Sequence, residues 1–275
     1  MRLATVRTPE GTSAAVINEE SATLLDARDV SEVLAGGNLG DLGKGTGATI
    51  PVVDVVFETL IPRPRSIWCI GLNYASHAEE TGAALPEYPT VFAKMPTALI
   101  GAYDDIRMPP ASISEQIDWE AELVVVIGSE VRRANEAEAA SAIGGYTVGN
   151  DMSVRDWQLR TTQWTLGKSF EGMSPVGPWL VTPDEFGQVG EQRITCTVDE
   201  EVVQDSVVGD LVFKPAMLVS HLSQVTTLFP GDLIFTGTPS GVALSRAGQP
   251  WVKPGAVIRT HIDGIGDLVN SCVID

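Results

Sequence analysis

Hydrophobic residues in this chain fall mostly into short runs separated by glycine, proline and acidic residues. Runs rich in valine, isoleucine and leucine occupy residues 66–71, 123–128, 194–198, 233–236, 257–262 and 268–274. Apolar runs of this length with many β-branched residues are typical of buried strands. The pattern therefore predicts a protein built mainly from β-strands.

Helical patterns are confined to a few stretches. Residues 136–143 and 215–228 have the spacing of amphipathic helices, and residues 30–34 predict a shorter one. In the second of these stretches five residues fall on one side: Met217, Leu218, His221, Leu222 and Val225. Many strands with few helices indicate a β-rich α+β fold.

The first 60 residues form short alternating segments. Residues 1–7 and 14–17 predict strands joined through Pro9, Glu10 and Gly11, which is a hairpin-type turn signal. A Gly-rich stretch over residues 36–47 follows the first helix. Pro62 and Pro64 then interrupt regular structure and favour an extended linker. We therefore place a small N-terminal α/β domain at residues 1–62 and a larger domain at residues 63–275.

The formal net charge of −18 at pH 7 limits the possible partners. It argues against nucleic acid, whose phosphates require a basic protein surface, and against anionic membranes. A small anionic substrate remains compatible if positive charge is concentrated at its site. A metal ion together with Lys168 and Arg155 would supply that charge.

Cysteine use and the absence of long apolar runs indicate the cellular compartment. No apolar run approaches the roughly 20 residues that cross a bilayer, and the first residues lack the apolar core of a signal peptide. The three cysteines lie far apart without CxxC spacing, at Cys69, Cys196 and Cys272. An odd, scattered set is typical of reduced and mostly buried thiols. We expect a cytoplasmic protein without a structural zinc site.

Glu120 and Glu122 stand two positions apart just ahead of an apolar strand. Strand side chains alternate, so both carboxylates project to the same face, where they repel unless a cation or solvent relieves them. An isolated pair of this kind is more often a solvated strand face. Asp151 supplies a third hard oxygen ligand, which suits Mg²⁺ or Mn²⁺. The three residues together predict a site for one such ion.

His77 and Glu80 lie three positions apart after the first strand of the larger domain. If a helix starts near Tyr74, both side chains face the same way, and the carboxylate can orient the imidazole as a general base. An exposed loop histidine is the alternative. His221 and His261 lie in a helical and a strand pattern, and we assign them structural roles.

Three further polar positions follow the metal candidates. Lys168 has small and aromatic neighbours that imply packing, so it needs an anionic partner unless it is an ordinary surface lysine. If Met152 onward is helical, Arg155 and Gln158 share a face with Asp151 and can bind a substrate carboxylate; a plain surface charge is the alternative. The turn at residues 236–241 has amides that can form an anion nest, although a purely structural turn is commoner.

Taken in order, these motifs resemble the fumarylacetoacetate hydrolase family over nearly all of residues 66–275. The segments that carry the resemblance are residues 71–74 with His77 and Glu80, then residues 118–122, 150–158, 166–170 and 235–242. Residues 1–5 are similar to the small N-terminal domain of bacterial members. The resemblance implies a mixed β-sandwich roll and, because members are commonly dimeric, a homodimer.

The resemblance also implies roles for individual residues. The ligands of Mg²⁺ or Mn²⁺ would be Glu120, Glu122 and Asp151. Lys168 would stabilise developing negative charge beside the metal. The pair His77 and Glu80 would activate water, on a segment that acts as a lid in smaller members. The substrate pocket would be lined by Tyr74, Arg155, Gln158 and Thr238.

Ile70 separates this chain from the enzyme that gives the family its name. That enzyme has a further aspartate ligand seven residues before its catalytic histidine, at the position of Ile70 here. Shorter members lack this ligand too. The chain is therefore similar to the branch of acylpyruvate hydrolases, oxaloacetate decarboxylases and 2-hydroxyhepta-2,4-diene-1,7-dioate isomerases.

We expect a metal-dependent hydrolase that cleaves the C–C bond of a 2,4-dioxo acid, of acylpyruvate or fumarylpyruvate type, through a pyruvate enolate. The alternatives that use the same site are oxaloacetate decarboxylase and 2-hydroxyhepta-2,4-diene-1,7-dioate isomerase. A non-catalytic member of the fold is a further alternative. A phosphoesterase is disfavoured because the ligands are too few for a second metal.

Overall fold

The protein is described from a computed structural model, which covers residues 1–37, 47–82 and 84–275. Its helices are short: α1 (Val30–Ala35), α2 (Ala75–Thr81), α3 (Glu136–Ser141), α4 (Arg155–Gln158), α5 (Pro183–Phe186) and α6 (Pro215–Val225). The strands are β1 (Arg2–Thr8), β2 (Gly11–Ile17), β3 (Ser21–Leu24), β4 (Thr49–Pro51), β5 (Ile67–Gly71), β6 (Thr90–Ala93), β7 (Leu99–Ile100), β8 (Ile106–Met108), β9 (Ile117–Asp118), β10 (Ala121–Ile127), β11 (Ile143–Asn150), β12 (Ser153–Val154), β13 (Ser174–Val181), β14 (Arg193–Val198), β15 (Glu201–Val207), β16 (Leu233–Phe235), β17 (Val257–Ile262) and β18 (Gly266–Ile274). The predicted β-rich α+β class is confirmed.

Most strands belong to two sheets. The larger sheet has the order β4-β3-β2-β1-β13-β11-β10-β16-β5-β6, with β7 added beside β13. The second sheet has the order β15-β14-β17-β18-β8, and β12 forms a separate pair with β9. Antiparallel pairs dominate, but β16 runs parallel to β5 and β18 parallel to β8. Each of the two main sheets therefore contains both antiparallel and parallel strand pairs.

Strand β10 lies between β11 and β16 inside the larger sheet, and all seven of its residues are buried. Leu123 and Val125 point into the main core, which also contains Ile194 and Ile258 of the second sheet. Val124, between them, points to the opposite face and a second core cluster. Burial on both faces explains why this strand is continuously apolar instead of alternating.

The predicted helices occur, with two corrected ends. Helix α3 begins with a capping box made by Asn135 and Glu138, but it ends at Ser141 because Ile143 already pairs with β10. Helix α6 ends at Val225, before the predicted residue 228, because Leu228 pairs with the backbone of Val131. Both helices end where the following residues pair with another strand or segment. The spacing of apolar residues alone does not predict where this pairing begins.

The N-terminal segment is joined to the larger sheet. Strands β1 and β2 form the predicted hairpin. Strand β1 also pairs with β13, where Arg2 lies opposite Val181. The domain boundary near residue 62 stays a prediction, and one hydrogen-bonded sheet extends across it. Residues 38–46 of the Gly-rich stretch lie outside the described residues. All three cysteines are buried and free, as predicted.

None of the helices in the described part of the chain is long and apolar enough to cross a membrane.

Candidate metal centre and active site

The pairing of β10 with β11 brings the three predicted metal ligands together. Glu120 directly precedes β10, Glu122 lies within it, and Asp151 directly follows β11. Ala121 pairs with Asn150, and the amide of Asp151 donates to the carbonyl of Glu120 at 2.8 Å. One carboxylate oxygen from each of the three residues lies within 4.8 Å of the others. The arrangement could hold one cation.

The electrostatics of this cluster fit a cation. Burial, together with repulsion from Asp151 and Glu120, raises the pKa of Glu122 well above its usual range. Burial alone would also raise the pKa of Glu120, but Lys168 and Arg155 outweigh it and lower the value to about 2. A divalent ion would remove the repulsion that Glu122 experiences. Three close, buried oxygen donors of this kind suit Mg²⁺ or Mn²⁺.

Lys168 is buried, as its neighbours predicted, and its ammonium group contacts two of the three predicted ligands. Its Nζ lies 2.5 Å from Oε2 of Glu120 and 3.2 Å from Oδ2 of Asp151. Burial lowers the pKa of Lys168, but Asp151 and Glu120 outweigh that effect and raise it overall. The side chain therefore remains a positively charged donor beside the carboxylates.

Lys94 is a second buried lysine, which the sequence analysis missed. Its Nζ lies 2.7 Å from Oδ1 of Asp151, donates to Oγ of Ser174 at 2.8 Å and contacts the carbonyl of Lys168. The distance to Asp151 is that of an ion pair, although the geometry is not that of a hydrogen bond. The available signal was a lone lysine that directly follows the apolar strand β6.

Arg155 is also buried and is held by several acceptors. Its Nε lies 2.7 Å from Oδ2 of Asp118, its Nη2 lies 2.7 Å from Oε1 of Glu120, and its Nη1 donates to Gln158 at 2.8 Å. Asp118, also missed from sequence, accepts hydrogen bonds from the amides of Ala243 and Leu244. Burial lowers the pKa of Arg155, but the carboxylates of Asp118 and Glu120 raise it by more than burial lowers it. The guanidinium therefore stays charged.

The helix considered from Met152 onward begins only at Arg155. Residues Ser153–Val154 form strand β12, which pairs with β9, and α4 contains only Arg155–Gln158. Arg155 and Gln158 nevertheless reach the site, because β9 lies two residues before Glu120 and aligns the two segments. The pairing of β12 with β9 therefore brings Arg155 and Gln158 to the site, a placement that the sequence analysis attributed to a shared helix face.

His77 and Glu80 lie on α2, the helix predicted to start near Tyr74. Nδ1 of His77 lies 3.1 Å from Oε2 of Glu80, and the other oxygen of Glu80 accepts from the amide of Gly241 at 3.0 Å. Ser76, in the first turn, donates to Asp210 at 2.7 Å. The imidazole is therefore oriented by a carboxylate that is itself fixed to a neighbouring turn.

One cavity of about 160 Å³ connects these groups. Its polar lining is formed by His77, Glu120, Arg155, Gln158, Lys168 and Thr238. Its volume is below the range of about 300–1,000 Å³ common for drug-sized ligands, so it has room only for a small molecule. The cavity brings His77 to the same space as Glu120, Arg155 and Lys168, while Glu80, Glu122 and Asp151 lie behind its lining.

Thr238 lines this cavity and accepts a hydrogen bond from Gln204 at 2.8 Å. The amide of Gly237 in the same turn donates to Oε2 of Glu122 at 2.7 Å, so one amide of this turn binds a carboxylate of the cluster. Tyr74 is not among the cavity-lining residues, and its buried hydroxyl has no hydrogen-bond partner in the described part of the chain. Its role in substrate binding stays a prediction.

Comparison with known proteins agrees with this arrangement. Residues 66–273 match the family described as "Fumarylacetoacetate (FAA) hydrolase C-terminal". The chain is similar to oxaloacetate tautomerase Fahd2a, mitochondrial, of Rattus norvegicus, with 39% identity over 225 residues, which are 82% of this chain and 71% of the relative.

Two solved structures are similar over the whole chain. One is 2-hydroxyhepta-2,4-diene-1,7-dioate isomerase from Mycobacterium marinum, with 31% identity, 99% of that chain covered and a TM-score of 0.83. The other is fumarylacetoacetate hydrolase from Exiguobacterium antarcticum, with 27% identity, 100% of that chain covered and a TM-score of 0.90. The fold expected from the sequence resemblance is confirmed.

Proposed function

Because the chain belongs to the fumarylacetoacetate hydrolase family, we propose that it is a divalent-metal-dependent enzyme that hydrolyses a C–C bond of a 2,4-dioxo acid and releases pyruvate. The observation that carries the proposal is the shared cavity, which joins the oriented His77 to the carboxylate cluster at Glu120. A general base and a site for an enolate are the two parts that this reaction requires.

The charges of the site support an anionic substrate once the metal is present. Among the buried groups of the cluster, four carboxylates face three cationic side chains: Asp118, Glu120, Glu122 and Asp151 against Lys94, Arg155 and Lys168. A divalent cation held by Glu120, Glu122 and Asp151 turns this small negative excess into a positive one. When bound, Mg²⁺ or Mn²⁺ supplies Lewis-acid polarisation of the 2-oxo acid.

The chain's own residues perform the proton and charge steps. His77, oriented by Glu80, removes a proton from water, whose oxygen adds to C4 of the dioxo acid. The C3–C4 bond then breaks, and its electron pair becomes the enolate of pyruvate. Lys168 stabilises the enolate oxygen electrostatically, and protonated His77 returns its proton to C3. The products are pyruvate and the carboxylic acid of the acyl group.

A second candidate is a reaction on oxaloacetate or on a dienol diacid at the same site. It is favoured by the names of two relatives, an oxaloacetate tautomerase and a 2-hydroxyhepta-2,4-diene-1,7-dioate isomerase. Tautomerisation and decarboxylation of oxaloacetate pass through the same kind of enolate, and tautomerisation needs only the proton transfer at His77. A hydrolase differs in requiring water attack.

Pyruvate release from acetylpyruvate, fumarylpyruvate and oxaloacetate, measured side by side with Mg²⁺ or Mn²⁺, tests the proposal. Oxaloacetate is corrected for decarboxylation by the metal alone, and its keto–enol conversion is followed separately by ultraviolet absorbance. We expect turnover of an acylpyruvate. Activity on oxaloacetate alone would assign the chain to the second candidate. Inactivity on all of them with metal bound would leave the isomerase or a non-catalytic role.

We further propose a cytoplasmic homodimer that binds neither nucleic acid nor membranes. The net charge of −18 supports both exclusions. Sedimentation analysis measures the oligomeric state, and a monomer at micromolar concentration would contradict this part of the proposal.

A further inference from the structure

The charged side chains of the cavity are buried, and its more exposed side is mainly apolar, formed by Leu72, Leu159, Trp164 and Leu244. Glu120 and Lys168, at the buried end, are 6% and 2% exposed, whereas Leu159, which also lines the cavity, is 60% exposed. Apart from the polar groups already described, most of the lining is apolar: Leu72, Phe92, Leu159, Trp164, Val242 and Leu244. A substrate whose carboxylate lies near the charged cluster therefore directs its other end along apolar side chains.

The aromatic part of this wall is fixed by packing. The ring of Trp164 lies edge-on to that of Phe92, with centroids 5.4 Å apart. A Cβ atom at Gly71 would lie only 2.3 Å from Cζ3 of Trp164, so the indole occupies space that any other residue at this position would fill. The tryptophan is therefore seated against the backbone of β5 and forms a defined surface.

The basic side chains that line the cavity are already engaged by carboxylates of the protein. His77 contacts Glu80, Arg155 contacts Asp118 and Glu120, and Lys168 contacts Glu120 and Asp151. Within the described residues, no other lysine, arginine or histidine lines the cavity. A second carboxylate at the apolar end would lose hydration without gaining a cationic partner, which is unfavourable.

We propose that this enzyme selects a 2-oxo acid with a single carboxylate and an apolar tail. The inference rests on the proposed function only for the placement of the 2-oxo carboxylate at the charged end. The wall formed by Leu72, Leu159, Trp164 and Leu244 then accepts an alkyl or aryl group. The specificity differs from that suggested by the names of the relatives, since oxaloacetate and heptadienedioate each carry two carboxylates.

Binding of two isosteric acids to the Mn²⁺-loaded protein tests this selectivity without turnover. 2-Oxoglutarate and 5-methyl-2-oxohexanoate differ only by a carboxylate in place of an isopropyl group. We expect calorimetry to give a dissociation constant at least about tenfold lower for the monoacid. Equal or tighter binding of 2-oxoglutarate overturns the inference.

A charge introduced at the opening reverses the preference if the wall is responsible. Leu159→Lys places an ammonium group at a side chain that is 60% exposed, so folding is undisturbed. We expect its ratio of affinities to shift at least about fivefold toward 2-oxoglutarate. Leu166→Lys is the matched control, because Leu166 is 62% exposed but does not line the cavity. A shift of the same size in the control, or none in Leu159→Lys, contradicts the assignment of the wall.

Turnover separates this inference from the proposed function. If the monoacid binds more tightly but no 2,4-dioxo acid releases pyruvate, the hydrolase is wrong and the apolar selectivity remains. If acetylpyruvate and fumarylpyruvate are hydrolysed with equal kcat/KM, the hydrolase remains and the selectivity is wrong. If neither isosteric acid binds, the placement of the 2-oxo carboxylate is wrong and the inference falls with it.

Discussion

The ammonium group of Lys94 lies 2.7 Å from a carboxylate oxygen of Asp151, and both side chains are fully buried. Lys94 does not line the cavity, so it contacts the metal-ligand cluster from within the protein. Its other partners, Ser174 and the carbonyl of Lys168, belong to the same buried layer. Lys94 therefore balances the negative charge of Asp151 at a position that solvent does not reach.

Lys94→Met should destabilise the metal-free protein more than the metal-loaded one. Removing one partner of a buried ion pair costs about 3–5 kcal/mol, because the remaining charge is left uncompensated. A bound Mn²⁺ supplies the missing positive charge, so its stabilising effect should be larger in the variant. Thermal unfolding with and without Mn²⁺ measures both values. Lys253→Met, at an exposed lysine, is the control, and equal melting temperatures for the two metal-free variants would contradict the expectation.

Glu122→Gln should remove metal binding and activity together. The substitution keeps the size of the side chain but removes the charge that faces Glu120 and Asp151. We expect Mn²⁺ affinity, measured by calorimetry or electron paramagnetic resonance, to fall at least about 100-fold, beyond the effect of losing an outer partner. Retained turnover with no bound metal would exclude a metal-dependent mechanism.

His77→Ala should spare the metal and reduce hydrolysis. The imidazole is oriented by Glu80 and is not one of the three clustered ligands. Loss of a general base lowers kcat by a factor of about 10²–10⁴, while the dissociation constant of Mn²⁺ should be unchanged. Glu79→Gln, on the exposed side of the same helix, should leave kcat at the wild-type level. If His77→Ala retains full hydrolytic activity, water is activated elsewhere.

Asp118→Asn should weaken the hold on Arg155. The carboxylate pairs with Nε of Arg155 and accepts the amides of Ala243 and Leu244, so an amide of the same size satisfies only part of this arrangement. We expect stability to fall by about 3 kcal/mol and KM to rise more than kcat falls, because Arg155 lines the substrate cavity. Denaturant unfolding and steady-state kinetics measure the two effects. An unchanged KM would mean that Arg155 does not contact the substrate.

Local spacing was enough to predict the groups that lie close together in sequence. The strand period placed Glu120 and Glu122 on one face, and the helical period paired His77 with Glu80. Both relations depend only on the backbone geometry of a few consecutive residues. These parts of the site therefore follow from the sequence without knowledge of the fold.

The groups that complete the site come from distant elements and were not predicted. Lys94 follows β6 and meets Asp151, which follows β11, although β5, β16 and β10 lie between these two strands in the sheet. Asp118 reaches Arg155 through the pairing of β9 with β12, which replaced the expected helix. Gln204 connects the amide of Ala121 to Thr238 from the second sheet. Such contacts are set by strand order, which short-range patterns do not encode.

The backbone that carries Glu120 and Glu122 and the helix that carries His77 and Glu80 should differ in how easily they open to solvent. Strand β10 is hydrogen-bonded on both edges and buried on both faces, so its amides should exchange with solvent only when the whole protein unfolds. Helix α2 has seven residues and an exposed outer side, and its amides should exchange through local opening. We therefore expect Glu120 and Glu122 to keep their positions as long as the protein is folded. We expect the helix that carries His77 and Glu80 to open locally without disturbing them.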